Sequence, residues 1–194
     1  MKFFGERNVV LVILLLSAAA LSACGGGGGG GGTQQNHSTS SISGVASKGL
    51  LSGATITAYS LSAAGVKGSA LGSTKTTANG TYSIDLGSYS GSVILEASGG
   101  TYTDEATGAP ATNAVLLRAA VTNASGSVQA AITPLTEIAF RLAGTLTAAN
   151  IDKSNAMLSN MIGGTDIIGT MPADVLASSA STTAARNYGL MLAA

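Results

Sequence analysis

Eight consecutive glycines, Gly25 to Gly32, divide this chain and decide where it can fold. Glycine carries no side chain to bury and loses more backbone freedom on ordering than any other residue. The residues that follow, Thr33 to Ser40, are small and polar and cannot bury a core. Residues 24–40 therefore read as a flexible tether with a root-mean-square reach of roughly 20–25 Å. The run satisfies G-x-G-x-x-G trivially. No strand precedes it and no helix follows, so a dinucleotide site fails on context.

Ahead of the glycines lie Lys2 and Arg7, then an uncharged and mostly aliphatic stretch from Val9 to Ala20. That stretch is shorter than the roughly 20 residues a permanent span needs, and has the length of a signal peptide's apolar region. It ends in Leu21-Ser22-Ala23-Cys24, which resembles the bacterial lipobox: an aliphatic residue, two small residues, then cysteine. The resemblance implies that residues 1–23 are a lipoprotein signal peptide, cleaved between Ala23 and Cys24. It also implies a diacylglyceryl thioether on Cys24, the only cysteine, and an acylated amine. One short acyl chain anchors only marginally, and several chains meet the requirement. Gly25 stands where enteric-type lipoproteins carry a retaining aspartate, which implies an outer-membrane rather than inner-membrane address in the bacterial envelope.

Lys and Arg together number nine, as do Asp and Glu, and charged residues are 9% of the chain. With no basic patch, nucleic-acid binding has no electrostatic footing. The single histidine, His37, lies in the tether. A Ser-His-Asp triad, a histidine-ligated metal and thiol chemistry are therefore not expected, and no catalytic residue, metal or cofactor is assigned beyond the lipid on Cys24. The roughly 150 residues after the tether suffice for one ordinary core.

Residues 41–132 read as β. The seven predicted strands are Ser41–Ser47, Thr55–Leu61, Ser73–Ala78, Thr81–Leu86, Ser92–Ala97, Asn113–Val121 and Ser127–Ile132. Tyr82, Ile84 and Leu86 alternate with polar residues, which makes one buried face. Ser92–Ala97 is apolar on both parities except at Glu96 and suits a more buried strand. Asn79-Gly80 predicts a hairpin between Ser73–Ala78 and Thr81–Leu86.

Gly44-Val45, Leu51-Ser52-Gly53-Ala54-Thr55-Ile56 and Thr77-Ala78-Asn79-Gly80-Thr81-Tyr82 together resemble a carboxypeptidase-regulatory-like, transthyretin-like domain. The resemblance implies a seven-stranded antiparallel sandwich, with small residues at Gly53-Ala54 because a larger side chain would clash. It says little about function.

Residues 133–194 change period. Thr133 caps, Pro134 suits the first helical position and Glu137 lies in the first turn. Leu135, Ile138, Ala139 and Leu142 form one stripe expected to face protein. A second helix is predicted from Ala148 to Ile162 after Thr147, with Ile151, Leu158, Met161 and Ile162 on its buried face, ending at Gly163-Gly164. A third begins near Ala184. It has no cap or stop, so this end is expected to fray or to be truncated.

Gly87-Ser88-Tyr89-Ser90-Gly91 is near a nucleophile elbow, but tyrosine stands where serine must be. Lys48 with Asn113, Asn123 and Glu96 raises a lysine–asparagine cross-link, set against a plain surface lysine. The longest predicted connection, Ser98 to Pro110, gathers Thr101, Tyr102, Asp104 and Glu105. These could hold Ca²⁺ or a polyol, or form a solvated connection whose tyrosine covers an edge. Two readings stay open: a non-enzymatic envelope module that binds or spaces, with an envelope glycan or protein as partner, and an accessory part of a larger exported hydrolase.

Overall fold

The computed structural model describes residues 39–177 and 181–193, which lie within the compact unit Asn36–Ala194. All three apolar clusters of the described residues fall inside this unit, which carries its own core. The chain is mainly β, with nine strands and three helices among the described residues.

The strands are β1 (Ser40–Val45), β2 (Thr55–Leu61), β3 (Lys67–Lys75), β4 (Thr81–Gly87), β5 (Ser92–Ser98), β6 (Thr101–Thr103), β7 (Pro110–Thr112), β8 (Leu117–Val121) and β9 (Ser127–Gln129). One sheet has the order β4-β1-β9, a second β3-β2-β5-β8, and β6 pairs with β7 alone. Two strands beyond the seven predicted, β6 and β7, fold from the stretch between the predicted strands Ser92–Ala97 and Asn113–Val121. The pairing is not antiparallel throughout, because β9 runs parallel to β1.

The Asn79-Gly80 turn forms, but it does not make a hairpin. β3 pairs with β2 while β4 pairs with β1, so the turn carries the chain from one sheet to the other. Gly80, at φ 69, belongs to this corner, and its carbonyl accepts from the Ala46 amide at the end of β1. A side chain there would meet the Ala46 oxygen. Gly53 departs from expectation differently. Nothing lies within 4 Å of a Cβ placed on it, and its need for glycine is its φ of 69.

The main core draws on both larger sheets: Ile42, Tyr82 and Ile84 from the first, Ile56, Val93, Leu95, Ala97 and Ala119 from the second. Ile132 completes it, and Val128 packs against it half-buried. β5 is buried on both faces, as its double parity predicts. Val93 and Leu95 enter the main core, whereas Ile94 joins Leu61, Ala120, Ala143 and Ile151 on the helical side. Across the second sheet, Glu96 is registered opposite Arg118 and ion-paired to Lys67 at 2.7 Å.

Helix α1 (Pro134–Leu142) starts as its residues dictate. Thr133 Oγ1 accepts from the Thr136 amide, and Thr136 Oγ1 accepts from the Thr133 amide. Its predicted buried stripe is wrong at two positions: Ile138 is 45% and Leu142 53% exposed. A competing stripe faces inward, made of Thr136, Glu137, Ala139, Phe140 and Ala143. The cause is polar pairing: Thr136 Oγ1 donates to the Arg118 carbonyl, and Glu137 meets the Arg118 guanidinium. A charged residue on β8 thus rolls the helix against its hydrophobic pattern.

Helix α2 (Ala148–Met161) buries Ile151, Ser154 and Leu158. Met161, assigned to that face, is 73% exposed. Helix α3 (Thr183–Ala193) is seated by Tyr188, which is fully buried, and by Gly189.

Candidate functional site

Ala23 and Cys24, the expected cleavage and lipidation positions, lie outside the described residues. The four loop residues lie on or beside the β6–β7 hairpin. Thr101 exchanges backbone hydrogen bonds with Ser52, at 2.7 and 2.9 Å, and its side chain is exposed. Tyr102 points to the opposite face by strand alternation and packs half-buried on the main core. Its ring lies against Gly49, where a Cβ would come within 2.7 Å, and Lys48 Nζ is 5.8 Å from its centroid.

Asp104 serves the hairpin's own turn. Its Oδ1 accepts from the Thr107 hydroxyl at 2.7 Å and from the Thr107 amide at 2.9 Å. Those bonds, the hydroxyl first, hold its carboxyl below the usual aspartate range, with Lys48 adding to the effect. Glu105 instead lines a small cleft of about 120 Å³ with Asn79, Thr103 and Asp174. Tyr102 and Glu105 both border Gly49, and Lys48 faces Tyr102 and acts on Asp104, whereas the Thr101 side chain is exposed. Among the described residues, no three of His, Cys, Asp and Glu group as a metal site would require.

The other constellations do not assemble as posited. Glu96 is paired with Lys67, and the Asn113 amide donates to the carbonyls of Gly99 and Val115. Lys48 faces Tyr102, and Asn123 is exposed, which removes the geometry a lysine–asparagine cross-link requires. Gly87 to Gly91 is a turn between β4 and β5, with the Tyr89 hydroxyl donating to the Ser92 carbonyl at 2.7 Å.

A second place was not read from the sequence. Val115 and Leu116 precede β8, and with Leu117, Pro134, Glu137, Ile138, Arg141 and Lys48 they line an open groove of about 280 Å³. Val115 is 48% and Leu116 42% exposed, whereas Leu117 is buried. The floor is ionic. Glu137 takes Arg118 in a two-point contact, 2.9 Å to Nε and 2.6 Å to Nη2, and takes Arg141 Nε at 2.6 Å. Burial alone would raise the Glu137 carboxyl, but the hydrogen bonds from the two arginines outweigh it and hold the group below its usual range. The Arg118 guanidinium lies 4.1 Å over the Phe140 ring. One signal was available: three consecutive aliphatic residues, Val115 to Leu117, cannot all point into one face of a strand.

No family model matches the chain, and no curated protein matches it. Among solved structures it is similar to a 9R-lipoxygenase from Cyanothece PCC8801, at 11% identity and a TM-score of 0.33. The match covers 72% of this chain and 27% of that one, so the chain spans about a quarter of that protein's length. A likeness at that TM-score carries no argument about fold or activity.

Proposed function

We propose that the chain is a lipoprotein of the bacterial envelope, anchored through acylated Cys24, whose folded part is a transthyretin-like β-sandwich. It acts as a non-enzymatic module that binds or spaces beyond the membrane, with the outer membrane as its address. The observation that carries the reading is where the tether enters the fold. The Gly-rich segment leads into β1, which begins at Ser40 and is the central strand of its sheet, hydrogen-bonded to β4 on one side and β9 on the other. A pull through the tether is therefore taken by a strand held along both edges.

The sandwich reading is supported by one core shared between two sheets, and by the Gly44, Gly53 and Asn79-Gly80-Thr81-Tyr82 frame lying at its strand ends and turns. No helix among the described residues is long and apolar enough to cross a membrane. Attachment through Cys24 rests on the Leu21-Ser22-Ala23-Cys24 pattern. Mass spectrometry of the native N-terminus should find acyl mass on Cys24, and Cys24→Ser should accumulate as uncleaved precursor. A mature N-terminus elsewhere with an unmodified thiol would end the reading. Separation of the two membranes then tests the address, and an inner-membrane fraction would correct it.

A further inference from the structure

We infer that the groove between the β8 approach and α1 is a seat for a single acyl chain carrying a carboxylate head. The inference deepens the binding-module proposal and rests on it in one respect, that the folded part has a ligand seat. It does not depend on the lipid at Cys24.

The walls come first. Val115, Leu116 and Ile138 stand about half exposed around one depression, closed at one side by Pro134. Apolar side chains scattered singly over a surface need no explanation, but several gathered round a concavity mark a binding surface. The strip continues past the groove. Leu142 follows Ile138 by one helical turn, and it shares a neighbouring depression with Met157, which Met161 follows by a turn on α2. A flexible chain longer than the 280 Å³ groove can hold therefore has apolar surface to run along. Methionine suits that use because it adapts its shape.

The scarcity of free side-chain acceptors comes next, and it counts against a peptide: Glu137 is the one side chain of the lining with acceptor oxygens. The Asn113 amide is committed to Gly99 and Val115, and Thr136 Oγ1 to Arg118 and Thr133. Both Glu137 oxygens are committed to arginines. A peptide laid here would bury its own amides without partners. An acyl chain has no amides to satisfy.

The third ground is charge. Lys48 and Arg141 line the groove with one carboxylate, Glu137, while Arg118 lies behind it between Glu137 and Glu96, and Lys48 also acts on Asp104. Arg141 is 71% exposed and engages Glu137 through Nε, while its two Nη groups make no hydrogen bond among the described residues. Lys48 has no carboxylate within ion-pairing distance among the described residues. An apolar trough with a surplus of cation donors at its mouth complements an anion joined to a hydrocarbon chain, and a planar guanidinium suits a carboxylate.

The test uses the compact unit Asn36–Ala194, titrated with monomeric sodium decanoate and followed by the methyl resonances of Val115, Leu116 and Ile138. Saturable shifts at these methyls are expected, weakening in high salt. The Lys48→Gln/Arg141→Gln double variant should bind roughly fivefold more weakly or worse, the sum of two exposed ion pairs. Ile138→Ser should bind more weakly with its other resonances in place, since this half-exposed position is not needed for folding. Equal binding of decyltrimethylammonium would overturn the carboxylate assignment. Shifts that grow with protein concentration before decanoate is added would give the groove to a second copy. Shifts with anionic vesicles alone would give it to a membrane surface. No saturable shift at all would reject the seat. None of these results alters the acyl mass expected on Cys24, so the two proposals fail separately.

Discussion

The hydroxyl of Tyr188 lies 2.8 Å from Oγ1 of Thr133, so the third helix is fastened to the residue that caps the first. The same hydroxyl donates to the Ile167 carbonyl at 3.0 Å. One buried phenol thereby joins α3, the start of α1 and the segment after α2. Tyr188→Phe keeps the ring but leaves the Ile167 carbonyl without this donor. The expected cost is about 1–3 kcal/mol, read from urea melts, with faster hydrogen exchange through α3. Unchanged exchange would mean that apolar packing alone holds the helix.

Tyr188 and Tyr82 also set an alkaline limit. Burial pushes both hydroxyls above the ordinary tyrosine range. The Tyr82 hydroxyl donates to the Ala130 carbonyl at 2.7 Å. A group whose pKa is raised by folding contributes fully below its unfolded value, near 10, and loses that contribution as pH rises toward the folded value. Stability should therefore be level up to about pH 9 and fall above about pH 10, with less of a fall in Tyr82→Phe once its own baseline is subtracted. A wild-type curve still flat at about pH 11.5 would contradict the burial of both rings.

Glycines 44 and 53 should respond differently to alanine. A Cβ on Gly44 would run into the Ala130 carbonyl oxygen, the acceptor for Tyr82, one residue past β9, the strand beside β1. Backbone cannot yield there without parting β1 from β9, so Gly44→Ala should cost more than about 3 kcal/mol. Gly53→Ala meets open space and pays only for its positive φ, about 1–2 kcal/mol. Paired thermal melts decide it, and equal losses would contradict the close approach at Gly44.

Acid should loosen α1 from β8. Glu137 is held below its usual range, so its contribution is present above its unfolded value, about 4.3, and is lost as pH falls through the folded one. Exchange at the Thr136 to Phe140 amides should rise below about pH 4, and Glu137→Gln should show that faster exchange at neutral pH. Identical acid profiles for wild type and variant would remove the ion cluster from the account.

The β6–β7 hairpin offers a second acid-sensitive point. Asp104→Ala removes the acceptor of the Thr107 amide and hydroxyl, and should open the turn from Asp104 to Ala109 while the main core keeps its melting temperature. Because the Asp104 carboxyl is held below its ordinary range, the wild-type turn should survive into that range and open only below it. A Ca²⁺ titration of wild type beside Asp104→Ala/Glu105→Ala tests the hairpin as a ligand site. Equal responses would remove Ca²⁺ from the hairpin.

The legible parts of the fold are those where pattern and packing agree. Alternation exposed the buried face of β4, double parity the two-sided burial of β5, and the Thr133-Pro134 pair the start of α1. Illegible parts arose where one polar contact overruled a pattern. Asn79-Gly80 carries the signal of a tight turn, but nothing in those two residues says whether the strands it joins share a sheet. The stripe through Ile138 and Leu142 is a good amphipathic pattern, yet the Arg118–Glu137 pair turns it outward. β3 begins at Lys67 rather than Ser73, because its first six residues, Lys-Gly-Ser-Ala-Leu-Gly, carry almost no strand propensity and are held by pairing with β2. The same outward turn of Ile138 made the groove, so the residue that misled the helix assignment is the one that marks the candidate site.

The parallel pairing of β1 with β9 has a kinetic consequence. Ser40 Oγ accepts from the Gly126 amide across 86 residues of sequence, and the parallel pairing of β1 with β9 spans a similar separation. A growing or threading chain therefore presents its first strand long before the partner that completes its sheet exists. Closing so long a loop is slow, and it comes late in assembly. A chain that passes a membrane before folding gains from such an order: its earliest residues stay extended while they are being moved, and the sheet locks only after nearly the whole β region has arrived.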